Sequence, residues 1–273
     1  MAFPVAMLCM LAGCSGPAPG TAGSTSNAAA AAAATAAVVP PAAAVSSGLP
    51  GDHASTARYK IAIDYPGLAP GANVLMQALH EHAAAAKREF MQALPDPQKF
   101  PEFASRQLQL LIDYRVTATS PAFISVRGKG MMDTGGAHPI PLDASFVFDR
   151  QALRLLSLDD LFEDPASVRK LLADFARKAL EKKLLAQAPG KDEATPAVRQ
   201  EWLDNMRRMI AAGTKPDAKD FGQFQVDAGG LLLVFPPYQV APYVYGTQTV
   251  AVPLEVFAGA LKPHYRQAFG SPQ

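Results

Sequence analysis

The first charged side chain in this 273-residue sequence is Asp52, and no Phe, Tyr or Trp lies between Ser15 and Asp52. Residues 15–55 are mostly Ala, Gly, Pro, Ser and Thr, with an unbroken alanine run at 28–34. Such a stretch cannot bury enough apolar surface to offset the entropy of ordering it. It reads as a flexible spacer, and folding is expected only in 56–270. Alanine favours helix, but a run with no apolar face opposite it predicts no packed element. The 49% hydrophobic content therefore overstates the core, because much of it is spacer alanine. What remains is long enough for a single domain.

Charge and cysteine content narrow the chemistry. Twenty-five Lys and Arg balance twenty-four Asp and Glu, for a net charge of +1. No basic excess faces phosphate, so nucleic acid is not an expected partner. Both cysteines, Cys9 and Cys14, precede the spacer. The foldable part thus contains no disulfide, no cysteine nucleophile and no cysteine-ligated zinc.

Residues 2–12 are apolar and are followed by Gly13 and Cys14. An apolar run ending in small residues is the pattern of a secretory signal peptide, here 1–13. A bilayer-spanning helix needs roughly 20 apolar residues. No Lys or Arg precedes the run. Leu11-Ala12-Gly13-Cys14 resembles the lipobox of bacterial lipoproteins. That resemblance implies cleavage before Cys14, acylation of its thiol and membrane attachment through the lipid. Ser15 in place of Asp implies, by the same resemblance, the periplasmic side of the outer membrane, with residues 14–55 as lipidated cysteine and tether.

Beyond the tether, elements alternate in type. Residues 59–64 alternate apolar and polar up to Pro66, which predicts a strand. Asn73 is placed to cap a helix over 73–94, ended by Pro95 and Pro97. Runs at 107–118, 123–131 and 142–148 predict an antiparallel meander, with turns at Ser120-Pro121, Gly135-Gly136 and Asp149-Arg150. Asp164-Pro165 and Thr195-Pro196 each open a helix. Strands are expected at 230–235 and 247–252, then a last helix over 254–269. The sum is an α+β domain with an antiparallel or mixed sheet and segregated helices.

Few residues invite chemistry. His80-Glu81-His82 lacks the four-residue histidine spacing of a zincin helix, so a polar helix surface is expected and no metal or cofactor. Asp159-Asp160 and Glu163-Asp164 precede a helix, where the dipole alone favours acids. The loop Gly135-Gly136-Ala137-His138-Pro139 is unusual: the glycines permit close approach and His138 could act as base or contact. Gly-x-Ser-x-Gly and phosphate-binding glycine motifs are absent. The second notable loop runs Pro236-Pro237-Tyr238-Gln239-Val240-Ala241-Pro242-Tyr243-Val244-Tyr245. Tyrosines on a proline-stiffened loop provide contact area at low entropic cost, although the same rings can serve as packing corners.

Several of these segments together resemble the RsiV-type envelope domain: Thr134-Gly135-Gly136-Ala137-His138, Phe148-Asp149, Leu156-Ser157-Leu158-Asp159-Asp160-Leu161-Phe162, the segment from Phe235 to Tyr243, and Val252-Pro253. The likeness spans roughly residues 58–267. That domain is shared by the extracellular part of the anti-sigma factor RsiV and a peptidoglycan deacetylase, and RsiV-type members bind lysozyme. No transmembrane helix, sigma-binding segment or deacetylase domain is read here. The resemblance therefore implies a non-catalytic envelope module that binds a lysozyme-like muramidase or peptidoglycan. The proposed surface is Gly135, Gly136, His138, Tyr238, Gln239, Tyr243 and Tyr245. The rival readings are a cell-wall glycan hydrolase or deacetylase using His138 with an Asp, and a structural role in envelope assembly.

Overall fold

Strand β3 (Leu108–Thr119) buries alternate residues, Leu108, Leu110, Ile112 and Tyr114, on one face. In the computed structural model, which describes residues 51–269, that face is the centre of a six-stranded sheet. Cys14, the signal segment and nearly all of the tether lie outside the described residues. The sheet runs β1 (Asp52–Ser55), β2 (Tyr59–Asp64), β3, β4 (Phe123–Asp133), β5 (Ile140–Asp149) and β6 (Arg154–Leu155), in that order. Only β2 and β3 pair in parallel. Their connection contains helix α1 (Asn73–Ala93), as a parallel crossover requires.

Helix α1 lays Leu75, Leu79, Ala83, Ala86 and Phe90 against the buried face of the sheet. These residues recur at helical spacing, so one stripe is apolar and the rest is wet. Asn73 is the first helical residue and not the cap: Ala72 holds that position, without a side-chain hydrogen bond.

Strand β4 behaves differently from β3. Phe123 through Gly128 are all buried, so both faces of the sheet are covered there. Ile124 and Val126 join the α1 core, whereas Phe123 and Val147 of β5 join a second core. This second core collects helices α2 (Pro165–Leu185) and α3 (Pro196–Gly213) and a small antiparallel sheet of β7 (Phe224–Asp227), β8 (Gly230–Phe235) and β9 (Gln248–Pro253). Ser125 bridges the two sheets: its hydroxyl donates to the Val226 carbonyl at 2.7 Å and accepts from the Val226 N–H at 3.0 Å. As expected, Asp164 and Thr195 cap α2 and α3, each followed by Pro at the first helical position. The domain is of the α+β type.

Two boundaries differ from expectation. The sheet begins at Asp52, so four residues assigned to the tether form an edge strand, held by a Lys87–Asp52 ion pair of 2.8 Å. The helix expected over 254–269 is broken into α4 (Leu254–Phe257), a 3-10 turn (Ala258–Ala260) and α5 (Pro263–Arg266). Gly259 and Pro263 disfavour a continuous helix, and Leu261 forms a β-bridge to Phe162 between them.

Candidate functional site: an aromatic knuckle

The two loops singled out in the sequence meet. His138 stacks on Tyr243 with ring centroids 4.1 Å apart and planes 17° from parallel. His138 Nε2 lies 3.1 Å from the Tyr238 hydroxyl, a contact across 100 residues of sequence. His138 Nδ1 lies 3.3 Å from the Pro139 carbonyl, and the Tyr243 hydroxyl donates to that same oxygen at 3.1 Å. A proton on Nδ1 satisfies the set: Nδ1–H donates to Pro139, and Nε2 accepts from Tyr238.

The backbone beneath is specialised. Gly135 sits at φ +93°, and a Cβ there would come within 2.3 Å of the Phe103 ring. Its N–H donates to Asp133 Oδ1 at 2.9 Å, and Asp133 pairs with Arg106 at 2.7 Å. Tyr238 has φ +71°, a left-handed conformation that costs a non-glycine residue about 1–2 kcal/mol. Despite that strain the residue is 57% exposed. Val244 on the same loop is 83% exposed, and Ile140, the first residue of β5, is 45% exposed.

The seven expected contact residues divide. His138, Tyr238 and Tyr243 form the knuckle, and Gly136 lies exposed beside it. Gly135 shapes the turn. Gln239 is structural: its side-chain amide donates to the carbonyls of Gly213 at 2.9 Å and Asp220 at 2.8 Å. Tyr245 turns toward Trp202, 6.4 Å between centroids, and packs against the second core. Ile140 and Val244 were not among the seven; Val244 lies between Tyr243 and Tyr245, and Ile140 two residues after His138.

Among the described residues, neither ring nitrogen of His138 meets a carboxylate, so the His–Asp pair of the hydrolase reading is not formed. No group of three or more metal-ligating side chains occurs among the described residues. His80 and His82 diverge, one packing on Tyr65 at 4.3 Å, the other bonding Tyr114 at 2.5 Å. His82 is thus half-buried and not part of a polar helix surface. Asp160 forms a capping box with Ser157, and Asp159 pairs with Arg169 at 2.5 Å. Burial pushes the Asp160 carboxyl up, but hydrogen bonds from Arg154 and Ser157 outweigh it and hold the group at about 2. These acids are structural. No helix among the described residues is long and apolar enough to cross a membrane.

Comparison with known proteins adds a family setting. A family profile described as a protein of unknown function, DUF3298, matches residues 159–255. Peptidoglycan-N-acetylmuramic acid deacetylase PdaC of Bacillus subtilis (strain 168) is 24% identical over 207 residues. The alignment covers 76% of this chain but only 40% of PdaC. Two crystal structures share the fold: a DUF3298 family member from Bacteroides fragilis NCTC 9343 and one from Pseudomonas aeruginosa PAO1. The first has TM-score 0.51 and 18% identity over 82% of this chain and 96% of its own. The second has TM-score 0.51 and 17% identity over 82% of this chain and 98% of its own.

Proposed function

We propose that this chain is a non-catalytic binding module of the bacterial cell envelope that uses the knuckle to recognise a lysozyme-like muramidase. The observation that carries the reading is Tyr238: a strained, non-glycine residue whose large ring is nonetheless exposed. Strain of this kind concentrates where function needs a fixed geometry. Rigid exposed tyrosines are frequent anchors of protein interfaces, and Val244 and Ile140 give the patch an apolar character suited to a protein surface. The resemblance to the RsiV-type domain supports a lysozyme-like partner, and the name of the PdaC relative supports a cell-wall setting. Peptidoglycan itself is the second partner to test.

Attachment through lipid on Cys14, on the periplasmic side of the outer membrane, belongs to the same proposal. Its support is the lipobox-like tetrapeptide at 11–14. Several acyl chains hold a protein stably, each buried CH₂ contributing about 0.8 kcal/mol.

The test is calorimetric titration of the full chain with lysozyme and, separately, with soluble peptidoglycan fragments. Binding to lysozyme is expected, and Tyr238→Ala should weaken it about 30-fold, the scale of an interface hot spot. Absence of binding to either partner at high micromolar concentration overturns the reading. Binding to fragments alone replaces the muramidase with the glycan. Palmitate labelling of wild type, lost in Cys14→Ala, tests the anchor.

A further inference from the structure

A second site lies on other strands and carries opposite chemistry. Residues of β3 and β4 and of β7 and β8 line a cleft of about 560 Å³. That is within the range of small-molecule sites, about 300–1,000 Å³. Three cations line it: Arg115, Arg127 and Lys129.

Two of them face each other, each balanced by a carboxylate, and the third is unpaired among the described residues. Arg115 and Arg127 are direct cross-strand partners, and like charges directly opposite destabilise a sheet. Arg127 is nine-tenths buried and gives one nitrogen to Asp143 at 3.0 Å, while its Nε has no hydrogen-bond partner. Its neighbour across β5, Ser145, also carries a buried hydroxyl without a partner. Lys129 is exposed and forms no ion pair among the described residues. Asp113, its cross-strand partner, pairs with Arg115 at 2.5 Å instead.

The rest of the lining selects among anions. Asp113 and Asp227 also face the cleft. Carboxylates repel a phosphate or a polyanion but accept hydrogen bonds from hydroxyls. Thr117 sits at a β-bulge between Val116 and Ala118, a device that re-aims a side chain. Its hydroxyl donates to the Ser125 carbonyl and accepts from Gln225 at 2.6 Å. Leu232 supplies an apolar surface. Cations for one negative group, acceptors for hydroxyls and an apolar patch for ring carbons describe one ligand class.

We propose that this cleft binds a carboxylate-bearing saccharide, its carboxylate between Arg115, Arg127 and Lys129 and its hydroxyls on Asp113 and Asp227. The site stands apart from the knuckle, and its test does not depend on the muramidase reading.

The full chain is titrated with galacturonic acid, with its methyl ester and with inorganic phosphate, followed by nuclear magnetic resonance shifts. Arg127 is too buried for a clean variant, so Arg115→Ala and Lys129→Ala are used; both side chains are exposed, and their melting should match wild type. Galacturonic acid should bind saturably, the uncharged ester about tenfold more weakly, and the double variant about tenfold more weakly again, the scale of a charge-assisted hydrogen bond. Tyr238→Ala should leave this binding unchanged. Equal binding of acid and ester, phosphate binding as tightly as the acid, an unaffected double variant, or no saturation up to about 10 mM would each overturn the proposal.

Discussion

The molecule contains the same histidine–tyrosine contact twice, in opposite surroundings. In the sheet–helix core, His82 of α1 reaches the Tyr114 hydroxyl of β3 at 2.5 Å, with Tyr65 stacked on Tyr114 at 5.5 Å. On the knuckle, His138 reaches Tyr238 at 3.1 Å, with Tyr243 stacked behind. Tyr114 is 2% exposed and Tyr238 is 57% exposed. The first set sits on regular elements and stabilises them. The second sits on loops, in a strained backbone, and leaves its largest ring to solvent. The same pair of side-chain types is thus buried and structural in one place and exposed to solvent in the other.

Truncating the buried member should have the largest effect. Tyr114→Ala removes a ring that packs on Tyr65, His82 and Phe146 and directly faces Gly128, where even a Cβ would lie 2.6 Å from the ring. The expected loss is about 3–5 kcal/mol, as for aromatic truncation in a core. Urea denaturation measures it. An effect below about 1 kcal/mol would erase the contrast between the two sets.

Next in size is the support beneath the exposed set. Gln239→Ala strands the carbonyls of Gly213 and Asp220, which now share one amide donor. Leaving partly buried acceptors unpaired costs about 1–3 kcal/mol. Denaturation should therefore show a clear loss at Gln239 and a small one at Tyr238, although both lie on one loop. Comparable losses at the two positions would mean that Tyr238 also supports the fold.

Why Gln239 and Tyr238 look alike in sequence and differ in the fold is a matter of range. Elements whose causes are local are legible: the caps at Asp164 and Thr195, the proline after each, and the alternation along 107–118 all sit within a few residues of the structure they dictate. The carbonyls that hold Gln239 are 26 and 19 residues away, and the histidine that holds Tyr238 is 100 away. Strand β1 is too short and polar to show a pattern, and it exists only because β2 pairs with it. The cleft depends on register: Arg115 and Arg127 face each other only once β3 and β4 are aligned. Both unusual loops could be found from composition, but their meeting could not.

Acidification probes the buried set in another way. Burial holds the His82 imidazole below the ordinary histidine range. As pH falls, the unfolded chain takes up that proton before the folded one. Stability from neutral His82 is therefore intact above about pH 6.5 and declines below it. Asp149 acts at lower pH. Burial pushes its carboxyl up, but hydrogen bonds from the Ala152 N–H, the Tyr265 hydroxyl and the Gln151 N–H, together with Arg154, lower it overall. That contribution is present above about pH 4 and fades below. Denaturation midpoints measured from pH 8 to 5 should fall for wild type, and less for His82→Gln. A His82→Gln curve parallel to wild type would show that its burial carries no cost.

The smallest expected effect isolates what is unusual about the knuckle. Tyr238→Ala and Tyr238→Gly both remove the exposed ring, so both should lose partner binding equally. They differ in backbone alone. At φ +71° alanine keeps the left-handed strain and glycine does not, a difference of about 1 kcal/mol. Tyr238→Gly should therefore be the more stable of the two and close to wild type. If that order holds, the chain retains strain at Tyr238 for the sake of the ring, which is the signature of a recognition residue. If Tyr238→Gly is instead the less stable, the left-handed turn is not strained in solution, and the strongest physical argument for the knuckle as a binding surface is lost.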